Sequence, residues 1–166
     1  MELPGWGYFY SLAALSMAFA GFTSIVVVLH QGTGKSLSQF HVLLTSLFIE
    51  LGLMATAFAI LAPTLAICGI REIIVWQISS AIMLVILVPW LIAYPFRRKR
   101  AAPKQRLPVR VYIMTILGTV AVIALGLNIV GAVINPGPGP LVITTVYVLS
   151  YASVAFIGSY SYFLRS

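Results

Sequence analysis

Five runs of about twenty apolar residues, parted by short breaks, constrain this chain more than anything else in it. Each is long enough to cross the roughly 30 Å hydrocarbon core of a bilayer as a helix. They fall at 7–29, 38–62, 72–94, 110–134 and 141–164. The breaks carry turn chemistry: GTGKS, CGIRE, PFRRKRAAPKQRLPVR and NPGPGP. Fusing the second and third runs would demand a helix of about 55 residues, far beyond one bilayer crossing.

Composition agrees with lipid as the solvent. The 166 residues are 61% hydrophobic and 8% charged, with a mean hydropathy of +1.05. A soluble domain carries about a quarter charged residues, so this chain cannot wrap itself in a wetted surface. The expected fold class is all-α, a polytopic bundle of five transmembrane helices forming one domain over 1–166. The opening MELPGWGYFY holds Glu2 and no basic residue. A cleavable signal peptide starts with positive charge, so the first run is expected to remain as a helix.

Charge placement predicts the direction of threading. With five spans, Lys35, Arg97, Arg98, Lys99, Arg100, Lys104, Arg106, Arg110 and Arg165 share one side, and Arg71 alone takes the other. The positive-inside bias puts the N-terminus outside and the C-terminus in the cytoplasm. The cell membrane, as a prokaryotic inner membrane, is the expected location. Trp6, Tyr8, Tyr10 and Trp76 fall near the outer interface, and Trp90, Tyr94, Tyr112, Tyr160 and Tyr162 near the inner one, where amphipathic rings settle.

One stretch argues superficially for nucleotide binding. HQGTGKS follows the β-branched run SIVVVL, imitating strand, glycine loop and helix. A phosphate loop reads G-x-x-x-x-G-K-[ST], which places its first glycine at 29; Leu29 stands there. The chain also has no Asp to hold magnesium water. An open strand would leave backbone groups unpaired in hydrocarbon. GTGKS therefore reads as a turn, with Ser36 or Ser38 capping the next helix.

Glu50 is the most informative single residue. It lies about 13 residues past Leu37, roughly 20 Å at helical rise, which places it near mid-bilayer. A charge there costs at least about 2.5–3.5 kcal/mol, so it is expected to face protein or water. Ser16, Ser79, Ser80, Ser150 and Tyr151 share its predicted depth, and Asn128 lies about one turn further out. This polar layer has two readings. In one, Glu50 is a proton or cation site with the hydroxyls and Asn128 as co-ligands. In the other, it is a hydrogen-bonded carboxyl holding helices together.

Small and polar residues also recur every four positions: Ser16, Ala20, Ser24; Ala124, Asn128, Ala132; Tyr151, Ala155, Ser159. Such stripes let helix backbones approach closely. The segment 95–110 reads as a basic cytoplasmic loop, its prolines at 95, 103 and 108 opposing a long helix. Its Arg97, Arg98, Lys99, Arg100, Lys104, Arg106 and Arg110 suit anionic headgroups or an acidic partner. Nucleic acid is not expected, because no aromatic interrupts the basic run to stack bases.

Catalytic groups are scarce. Without Asp there is no Ser-His-Asp triad. His30 and His41 flank the first loop without a third metal ligand. Cys68 falls on the opposite side from both histidines, and no base shares the depth of Glu50. No metal or cofactor is expected, and the chain does not read as an enzyme. The sequence predicts a non-catalytic subunit or assembly protein of a membrane complex, or a homo-oligomer, acting through helix–helix contacts. The alternative is an oligomeric channel or a proton- or cation-coupled carrier built on Glu50.

Overall fold

The computed structural model describes residues 5–31, 39–102, 109–131 and 135–163. They form five helices: α1 (Trp6–Gln31), α2 (Gln39–Ile67), α3 (Glu72–Ala101), α4 (Val109–Val130) and α5 (Gly139–Phe163). The fold is all-α. Four helical segments, Val42–Ile67, Glu72–Ala101, Val109–Val130 and Gly139–Ile157, are long and apolar enough to cross a membrane. That is compatible with a multi-pass membrane protein. The β-branched run SIVVVL is helical, lying within α1. All of GTGKS, with Lys35, lies outside the described residues.

Three boundaries differ from the sequence expectation by four residues or more, each with a local cause. α2 was expected to stop at Pro63 but continues to Ile67. Proline removes one backbone donor and crowds the preceding turn without forbidding the residues that follow. The helix closes instead at Gly69, whose φ of +77° suits glycine and whose N–H donates to the Ala66 carbonyl at 3.0 Å. α3 was expected to end at Tyr94, yet runs through Pro89 and Pro95 to Ala101. Its last turn holds Arg98, Lys99 and Arg100, cations that favour the negative end of the helix dipole. The expected loop 95–110 is therefore helical over its first seven residues, 95–101. α4 stops at Val130, short of 134, because Gly131 (φ +64°) turns the chain.

α2 and α5 form the middle of the bundle. α5 touches all four other helices and α2 touches α1, α3 and α5. Leu44, Leu47, Leu51, Ala55, Phe58 and Ala62 make one buried stripe on α2, at the three- and four-residue spacing of a single helical face. α4 inverts the pattern of a soluble protein. Ile113, Ile116, Leu117, Val120 and Ile123 are exposed, whereas Ala121, Leu125 and Asn128 are buried. In lipid the outward face is as apolar as the inward one, so small and polar residues mark the interior.

Two close approaches need glycine. A Cβ on Gly52 of α2 would lie 3.0 Å from the Ala20 Cβ of α1. A Cβ on Gly118 of α4 would lie 2.5 Å from the Tyr147 hydroxyl of α5. That hydroxyl donates to the Met114 carbonyl at 3.0 Å, so Gly118 makes the gap through which α5 reaches α4.

Candidate functional site

The bundle has two ends. The hairpin end carries the α2–α3 turn; the basic end carries the start of α2 and the finish of α3. Counted from the turn, Glu50 lies 17 residues back along α2 and Trp90 18 residues along α3, both about 26 Å away at helical rise. These two side chains meet, with the Trp90 Nε1 donating to Glu50 Oε2 at a long 3.4 Å, so the mid-bilayer depth expected for Glu50 and the inner-interface level expected for Trp90 do not both hold. Arg97, two turns further on, reaches back. Its Nη1 donates to Glu50 Oε2 and its Nη2 to Oε1, both at 2.7 Å. Side chains of a helix lean toward its N-terminus. Glu50 therefore leans toward the basic end and Arg97 away from it, and the two close on each other. A two-pronged guanidinium–carboxylate fork is the strongest geometry such a pair adopts.

Aromatic rings support this fork. Trp90 stacks on Tyr94 with centroids 5.7 Å apart and planes 11° apart. Tyr151 of α5 meets both edge-on, at 5.5 and 5.6 Å. Arg98, next along α3, is buried and donates from Nη1 to the Tyr94 hydroxyl at 3.3 Å. The fork itself is not sealed: the Arg97 and Glu50 side chains keep 38% and 36% of their surface exposed.

A second polar knot lies toward the hairpin end. Asn128, in the last turn of α4, donates from Nδ2 to the Ser80 hydroxyl of α3 at 2.8 Å. It also donates to the Gly137 carbonyl at 3.2 Å and accepts the Gly137 N–H at 3.0 Å. One amide thus imitates a strand partner for the NPGPGP loop and fastens it to α3. Gln77 adds a bond to the Ile129 carbonyl at 3.0 Å, satisfying an otherwise orphaned group at the end of α4.

The hydrogen bonds of the residues expected in one polar layer around Glu50 group into two separate sites. Among the described residues, the Glu50 carboxylate bonds to Trp90 and Arg97, and Asn128 and Ser80 serve the loop. Tyr151 meets the Trp90 ring that bonds Glu50. Ser16 and Ser79 are buried with hydroxyls that have no hydrogen-bond partner among the described residues. Ser150 is exposed, outside the inward face that Tyr147, Val148, Tyr151 and Ala152 form.

The small-residue stripes are mixed. Ser16 and Ala20 are buried and Ala20 meets Gly52, but Ser24 is exposed and bonds its own helix at the Ala20 carbonyl. Four-residue steps overshoot one turn by about 40°, so a stripe drifts off its face. Ala124 is half-buried and Ala155 buried; Ala132 and Ser159 lie outside the described side chains. Of the cations expected at a docking surface, Arg97 and Arg98 turn into protein contacts, whereas Lys99, Arg100 and Arg110 are exposed. Lys104 and Arg106 lie outside the described residues, as do the His30 and His41 side chains.

Sequence reasoning places Arg97 among the docking cations and misses it as the partner of Glu50, because it ends the third span at Tyr94, before Pro95. The signal was there: Trp90, Tyr94 and Arg97 fall at i, i+4 and i+7, one continuous face. Gln77 and Gly137 gave no signal. No family model, curated protein or solved structure matches the chain, and its two polar sites are defined by their own geometry.

Proposed function

We propose that the chain is a five-span protein of the cell membrane, a prokaryotic inner membrane, with its N-terminus outside and its C-terminus cytoplasmic. In this reading it works as a non-catalytic subunit or assembly protein of a larger membrane complex or homo-oligomer, through helix–helix contacts. The observation that carries it is the fork from Arg97 to both oxygens of Glu50. That fork engages the carboxylate that a proton or cation carrier would have to leave open to its solute. The other interior polar groups described, such as Asn128, Ser80 and Tyr147, bond helices and a loop to one another. They are groups that fix packing.

Native mass of the detergent-extracted protein, with flux measured in liposomes, tests the reading. The expected outcome is migration with a larger assembly and no pH-linked flux. Should the purified chain transport protons or cations, with Glu50→Gln abolishing transport while assembly persists, the subunit reading falls and the carrier reading replaces it.

A further inference from the structure

At the basic end, directly beyond the fork, α2 and α3 leave a shallow open depression of about 340 Å³ between them. Val42, Leu43 and Ser46 line one wall, and Arg97, Arg100 and Ala101 the other. Val42, Ser46 and Glu50 are spaced four apart on α2, and Arg97 and Arg100 three apart on α3, so the depression prolongs the face that makes the fork. We propose that it binds the phosphate of an anionic phospholipid, with an acyl chain lying along its apolar wall. This rests on the membrane-spanning reading above and not on the subunit role.

The first argument is charge. Arg97 spends two of its guanidinium N–H groups on Glu50, leaving three, and Glu50 itself is neutralised and does not repel an anion. Arg100 is exposed and makes no hydrogen bond or ion pair among the described residues. Two arginines one turn apart at one opening form a phosphate clamp. The second argument is position. Trp90 and Tyr94 mark the level where amphipathic rings meet headgroups, and Arg97 and Arg100 lie one to two turns further out. The third is the wall: Val42 is 53% exposed and Leu43 half-buried. A soluble phosphate has no use for such a surface, but a lipid tail does. Basic clefts between membrane helices on the cytoplasmic side commonly take anionic headgroups.

Native mass spectrometry of the full chain, released from micelles holding equal phosphatidylglycerol and phosphatidylcholine, reads the site directly. The wild type is expected to retain phosphatidylglycerol in preference, and excess inorganic phosphate is expected not to displace it. Arg100→Gln should lower the preference roughly fivefold, while Lys99→Gln, one residue away and outside the depression, should lower it less than about twofold. An equal loss from Lys99→Gln overturns the proposal, because diffuse charge would then suffice. Displacement by inorganic phosphate overturns it in favour of a soluble anion. A lost protein partner with unchanged lipid retention in Arg100→Gln assigns the surface to that partner instead. Retention of neither lipid overturns it together with the membrane-spanning reading, whereas lost preference alone leaves that reading intact.

Discussion

Arg97 and Glu50 depend on each other in a way that neither depends on any other residue. Cutting Arg97 to Gln leaves a carboxylate facing a ring cluster and an apolar helix surface. Breaking a fully buried pair costs about 3–5 kcal/mol and an exposed one about 0–1. With more than a third of both side chains exposed, about 1–2 kcal/mol is expected from Arg97→Gln, read as easier unfolding in mixed detergent micelles. The double variant Glu50→Gln/Arg97→Gln removes both charges and should be less destabilised than the sum of the two single changes. Simple additivity would mean that the fork contributes no coupling. The residue scale is also where the sequence was least legible. Glu50 could be singled out because a lone acid in an apolar run is conspicuous, but its partner could not. Within PFRRKR alone nothing distinguishes Arg97, which turns inward to a carboxylate, from Lys99, which does not; only the spacing of Arg97 from Trp90 and Tyr94 does. That distinction depends on whether the helix continues past Pro95, and a proline near a predicted end argues the wrong way.

Between elements, α4 is held to its neighbours by unlike devices at its middle and at one end. Near the middle, Gly118 admits the Tyr147 hydroxyl. Gly118→Ala would place a methyl 2.5 Å from that oxygen and 2.9 Å from Leu91 Cδ2. Helix propensity favours alanine by about 1 kcal/mol, but overpacking costs about 1–3; backing onto a rigid ring, the clash should win and lower the unfolding midpoint. In a Tyr147→Phe background the oxygen is gone, so the same change should be milder; an equal penalty in both backgrounds would remove Tyr147 as the cause. At its far end, Asn128 holds the NPGPGP loop. Asn128→Ala should cost about 1–3 kcal/mol, the usual cost of stranding a buried polar group. Its specific signature is faster hydrogen exchange at the Gly137 amide with little change in the α2 core. Exchange that rises evenly through the bundle would mean that Asn128 supports the whole fold and not the loop. The helices themselves were legible, because backbone pairing in an apolar medium permits little else. Their faces were less so. Hydrophobic periodicity carries no sidedness when the outside is apolar too, and stripes of small residues drift, as Ser24 does at the end of Ser16 and Ala20.

At the scale of the molecule, the proposed threading has one built-in reporter. Cys68 is the sole cysteine of the chain and it is exposed, in the tight turn joining α2 to α3. The basic cluster of Arg97, Lys99 and Arg100 lies at the opposite end of α3, about 40 Å away at helical rise. Cationic loops are retained on the cytoplasmic side, so the cluster should stay inside and force the hairpin out. A membrane-impermeant maleimide added to intact cells should therefore label Cys68 without permeabilisation, while Arg100→Cys in a Cys68→Ser background should be labelled only after the membrane is opened. The reverse pattern would invert the bundle and move the proposed headgroup site to the outer leaflet. Labelling of both positions in intact cells would mean that α3 does not span the bilayer. The two cysteines thus test orientation and crossing together, because they sit at the ends of one continuous helix that the sequence expectation had ended at Tyr94.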